Sequence, residues 1–195
     1  MNEFLPLHRR SPSTSCVGKY LFLNVTLVAV GTHLKSVLSL SCMELFEAVR
    51  RVRSDDSFIP EDGYLVHGFF DETWHVGFYN ASDDRITTYV VGDKVSRSQP
   101  EDVFKDGKSV PELDLSSVEV VREKAERIAR AQLSQKHPNH PVTKQILLVQ
   151  SIGSHACYNI TLVTSTLHMY NIKIRAQTGE VVSDVFDSIL SLKAE

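Results

Sequence analysis

The period of the hydrophobic positions changes several times along this chain, and each change marks an element. From Met43, Leu45, Phe46, Val49 and Val52 recur at helical spacing, with Glu44, Glu47, Arg50, Arg51 and Arg53 largely on the other side, which predicts a short amphipathic helix. Polar clusters at residues 54–57 and 60–63 punctuate the chain after it. Residues 64–70 and 73–80 are rich in aromatic and β-branched side chains and predict two strands, joined at Asp71-Glu72 as a hairpin. With those two residues as the turn, Phe69 faces Trp74 and His67 faces Val76. Leu65, His67, Phe69, Trp74, Val76 and Phe78 then share one side, the expected core face. Residues 85–91 predict a third strand, Gly92-Asp93 a reversal toward Val95, and the polar residues 96–114 a link between halves.

The second half repeats this order. Residues 118–135 carry the strongest helical signal, with Val121, Ala125, Ile128 and Ala129 on one face and Arg122, Glu123, Lys124, Glu126 and Arg127 on the other. Pro138 and Pro141 end it. Residues 144–151 predict a strand, and residues 158–182 supply two more, with a turn at Thr178-Gly179 that needs a residue tolerant of positive φ. Val185, Phe186, Ile189 and Leu190 have helical spacing and predict a closing helix. The fold class that follows is α+β: two repeated units, each an α-helix packed on an antiparallel β-meander. Both rounds contain Asp-Val-Phe, at residues 102–104 and 184–186, and the shared element order points to tandem duplication.

The second round, residues 120–182, resembles the PepSY domain, a small module of one helix on an antiparallel sheet. The likeness lies in Arg122-Glu123-Lys124-Ala125 with Ile128 and Ala129 behind it, in Tyr170-Asn171-Ile172-Lys173-Ile174, and in Ala176-Gln177-Thr178-Gly179-Glu180-Val181. Two positions depart from that pattern, Val121 where the module has a Ser or Thr helix cap and Arg175 where it has an acidic residue. Ser116 or Ser117 is then expected to cap a longer helix. The first round matches less well, since it lacks the Thr-Gly turn. What the resemblance implies is protein or peptide binding, including regulation of peptidases, with no catalytic residue to carry over.

The expected domains are residues 1–42, a poorly ordered extension or a signal or anchor; 43–110, a first PepSY-like unit; and 111–195, a second. Residues 20–31 form an apolar run too short to span a bilayer, which takes about 20 residues. An export signal, an added element and an extension before an effective start at Met43 all remain open. The compartment follows that choice: cytoplasmic if the chain effectively starts at Met43, exported or membrane-anchored otherwise. Three cysteines, Cys16, Cys42 and Cys157, show no metal-ligand spacing and imply no disulfide framework. The net charge of -3 argues against a general nucleic-acid binder.

Candidate chemistry is sparse. His137 and His140 are three apart, but the neighbouring prolines exclude a shared helix face, and the preferred reading is a solvated loop. Cys157 with His155 nearby reads as a small buried thiol rather than a nucleophile. Asp71, Glu72, Asp83 and Asp84 fall in turns, where acids are favoured for backbone reasons. No catalytic, metal or cofactor residue is therefore assigned. Two readings stand: a non-catalytic protein- or peptide-binding module, able to pair through an edge strand with a peptide or a second copy, and a small-ligand binder or enzyme with a pocket at Tyr64, His67, Trp74 and Phe78.

Overall fold

The computed structural model describes residues 43–103 and 109–191. The sequence readings that concern residues 1–42, and Phe104, lie outside that range. Among the described residues, two helices and nine strands form an α+β structure with one sheet. Helix α1 is Leu45–Arg53, followed by strands β1 (Tyr64–Asp71), β2 (Thr73–Asn80), β3 (Arg85–Val91), β4 (Val95–Arg97) and β5 (Glu101–Asp102). Helix α2 is Arg122–Lys136, followed by β6 (Val142–Ile152), β7 (His155–Thr164), β8 (His168–Arg175) and β9 (Val181–Ser188).

All the pairings are antiparallel and run in the order β4-β3-β2-β1-β6-β7-β8-β9, with β5 also on β3. The two halves share the sheet, because β1 pairs β6 from His67↔Gln150 to Phe70↔Leu147. Both helices lie on one face. On α1, Leu45, Ala48, Val49 and Val52 are buried, a stripe at i, i+3, i+4 and i+7. Leu45 fills the space over Gly68, where an added Cβ would come within 2.4 Å of it. On α2 the buried stripe is Ala125, Ala129 and Leu133, and its small residues let the helix lie close to the strands. The core between them includes Trp74, Phe78, Tyr89, Tyr158, Ile160, Leu162, Tyr170 and Ile172.

Four sequence expectations change. The hairpin between β1 and β2 turns on Glu72 alone, at φ 60, so Asp71 pairs Thr73 and Phe70, not Phe69, faces Trp74. A bulge between Leu65 and His67 then restores the expected register at Leu65↔Phe78. Leu65, Trp74, Val76 and Phe78 therefore face the helices, while His67 and Phe69 turn to the other side. A one-residue slip exchanges the faces of a strand, and the bulge undoes it over only part of β1.

Second, residues 181–188 form strand β9 instead of a closing helix: Val181, Asp184, Phe186 and Ser188 are partly covered and Val182, Ser183, Val185 and Asp187 exposed. Third, Ser116 and Ser117 sit in a separate 3-10 turn, and α2 starts at Arg122 with no cap from Val121. The first amide of α2, Arg122 N–H, donates instead to Glu44 Oε2 at 3.2 Å, a carboxylate 78 residues away in sequence. Fourth, the expected link carries β4 and β5. The two Asp-Val-Phe tripeptides also sit in different settings, since Asp102 ends β5 whereas residues 184–186 are inside β9.

Candidate functional site

The four residues of the expected pocket are divided by the pleat of the sheet. Trp74 and Phe78 are each 1% exposed beneath the helices, and the Trp74 indole donates to Met43 O at 2.7 Å. Tyr64 and His67 lie on the opposite face. There Tyr64 packs edge-on to Tyr79 at 5.5 Å, and its hydroxyl donates to Val110 O at 2.8 Å. The His67 ring covers Gly77, whose missing side chain makes room for it, since a Cβ there would lie 2.2 Å from the imidazole. Burial, with the nearby His75, pushes the His67 pKa down to about 4, so the ring is neutral at pH 7. A cleft of about 410 Å³ opens beside Leu65 and is lined by Arg53, Leu65 and residues 112–115, with none of the four expected residues in its lining.

Other candidates resolve one by one. Cys157 is 2% exposed and burial pushes its thiol up, away from the reactive thiolate, while His155 is exposed and pairs with Ile152 across the hairpin. The sequence placed Arg122 on the polar side of its helix, yet it is 7% exposed. Its guanidinium meets Glu126 at 2.7 Å and Glu123 at 2.9 Å and lies 4.0 Å above the Phe70 ring. Beside it, burial raises the Glu44 pKa, and a hydrogen bond with Glu123 adds to the effect. These groups join the starts of both helices above the β1–β6 seam, so they read as a fastening of the halves.

The two outer edges of the sheet differ. On the first, β3 is covered by β4 and β5, and Arg97 of β4 binds both oxygens of Asp62 at 2.7 and 2.8 Å. Tyr89 donates to the same carboxylate at 2.5 Å. Burial alone would raise the Asp62 pKa, but the hydrogen bonds from Arg97 and Tyr89 outweigh it and hold the carboxyl below its ordinary range. On the second edge, no strand among the described residues pairs with the outer side of β9. Of the seven large apolar side chains that are strongly exposed among the described residues, four (Leu167, Val182, Val185 and Leu190) lie on β9 or beside its ends. One charge of β9 is already engaged: Asp184 accepts from Lys136 at 2.7 Å and from Tyr170 at 2.9 Å, and the lysine holds its carboxyl low.

At the far end of β9 the structure adds a third histidine to the pair noted in the sequence. His137 and His168 lie parallel to the Phe186 ring at 3.9 and 4.9 Å, and His140 stands edge-on, 5.0 Å from His168 and 6.2 Å from His137. The signal was out of reach because His168 comes from a strand start 28 residues beyond His140. Among the described residues, no group of three or more His, Cys, Asp or Glu is placed to hold a metal ion. No helix among them is long and apolar enough to cross a membrane.

Comparison with known proteins adds little. No family model matches the chain, and no curated protein matches it. Among solved structures it has a distant match to a crystal structure of a putative lipoprotein from Clostridium difficile 630, with 16% identity over 65% of this chain and 84% of that one and a TM-score of 0.41. At that distance the likeness bears on neither residues nor activity.

Proposed function

We propose that the protein is a non-catalytic binding module that takes an extended peptide segment along β9. The observation that carries this reading is the contrast of edges: β9 presents eight residues with two exposed valines and an unpaired outer side among the described residues. A strand added there gains main-chain hydrogen bonds for affinity and side-chain contacts every second residue for specificity. The tandem PepSY-like reading belongs with it. It is supported by the sheet order, which runs outward from the β1–β6 pair as a meander in each direction, and by the helix that precedes each meander.

The test uses peptides selected by display against the full chain. Val182→Lys with Val185→Lys puts two charges on the edge without touching its pairing to β8, a device that natural edges use against strand addition. Peptides that bind the parent and lose at least about tenfold in the double variant, with NMR shift changes confined to β9 and its neighbours, are the expected result. A concentration-dependent dimer abolished by the same changes would identify a second copy as the occupant. Peptide binding unaffected by the double variant would overturn the reading, as would a chain that selects no peptide and stays monomeric.

A further inference from the structure

Two of the three histidines around Phe186 carry more information than their proximity, because the hydrogen bonds beside them assign which nitrogens hold protons. Thr164 donates its hydroxyl hydrogen to His168 O at 3.1 Å, since a carbonyl can only accept. In the 2.9 Å contact between Thr164 and Thr166, Thr166 is therefore the donor. With its hydrogen spent, Thr166 Oγ1 can only accept from His140 Nδ1, 2.5 Å away. The carbonyl of the same residue accepts from His168 Nδ1 at 2.7 Å. Both rings are thus Nδ1–H tautomers when neutral, and each carries its lone pair on Nε2.

We propose that His140 and His168 form a two-imidazole site for a divalent transition cation of borderline softness, with Cu²⁺ the tightest. Two observations meet here. An Nδ1–H held by an oxygen acceptor is the outer arrangement that orients a metal-ligating histidine. Two imidazoles bound through Nε2 at about 2 Å to one ion place their ring centres roughly 4.5–5 Å apart, and these rings stand 5.0 Å apart. The protein supplies two ligands, and water fills the remaining positions. His137, parallel to Phe186 at 3.9 Å, is part of the wall.

The experiment is a Cu²⁺ titration of the full chain followed by calorimetry and electron paramagnetic resonance, with His140→Ala/His168→Ala as the background for other histidines. One difference site with nitrogen coupling from two imidazoles is expected, weakened at least about tenfold by either single substitution and about tenfold by Thr166→Val, but kept by Thr166→Ser. His137→Ala and His155→Ala should bind like the parent. Independently of any metal, ¹⁵N spectra of the imidazoles above pH 8 should show Nδ1–H for both His140 and His168. Equal binding by parent and double variant, equal loss in His137→Ala, or Nε2–H in either ring would overturn the assignment.

Discussion

Among the described residues, the first half of the sheet closes its outer edge and the second leaves its own unpaired. Beyond β3 the chain spends two short strands, β4 and β5, on covering, with Pro100 between them and Arg85 reaching Asp102 at 3.1 Å. Beyond β8 it lays down one long strand, β9, and places valines on it. The faces away from the helices differ in the same sense. In the first half Val66, Tyr79 and Ile86 are buried there with Val103 and Val110 against them, whereas in the second Asn159, Thr161 and Lys173 are only partly covered. Two meanders of similar order can thus have opposite surface roles. The difference lies in what the chain does after its third strand.

The comparison can be broken most forcefully at Arg97. Arg97→Ala should cost about 4 kcal/mol in urea unfolding, because it strands the Asp62 carboxylate in a buried site and frees β4. It should also make the first edge behave like the second, seen as new self-association by light scattering. A loss under about 1 kcal/mol would mean that β4 is held by its backbone alone.

The buried face of the first half is sharpened by acid. His67 has its pKa lowered from 6.5 to about 4, so between those values the unfolded chain takes up a proton that the folded one refuses. Its contribution is present above pH 6.5 and is lost as pH falls toward 4. Between pH 7 and pH 5 this amounts to about 2 kcal/mol, which unfolding of His67→Asn at the two pH values should lack. An unchanged pH slope in that variant would show that another group governs the acid limb.

The smallest effect concerns the seam, where the halves meet on equal terms. Glu44→Ala removes the acceptor for the first amide of α2 and should cost about 1 kcal/mol, read as an earlier urea midpoint with the same slope. A change of slope would show instead that the halves had begun to unfold separately.

Much of this fold is written locally. The stripe Leu45, Val49, Val52 and the alternation through β2, β7 and β8 identify one helix and three strands without reference to anything distant, because side-chain direction repeats every 3.6 or 2 residues. Gly179 takes φ 82 at the turn that its sequence demanded. Local pattern fails where two periods fit equally. Val185, Phe186, Ile189 and Leu190 suit a helix, and what makes residues 181–188 a strand is the free side of β8, which offers backbone partners that no isolated segment has.

The candidate sites follow the same division. Residue types gave strands and turns, but neither the β9 edge nor the contact of His140 with His168 is visible in spacing, since the first depends on which strand is last in the sheet and the second joins a loop to a strand start 28 residues on. The one-residue turn at Glu72, which sends His67 away from Trp74, and Glu44 at the head of α2 are likewise outcomes of packing. The sequence determined which segments could bury one side. Only the tertiary structure decided which sides met, because register and pairing are set by contacts between residues far apart in the chain, where no local period reaches.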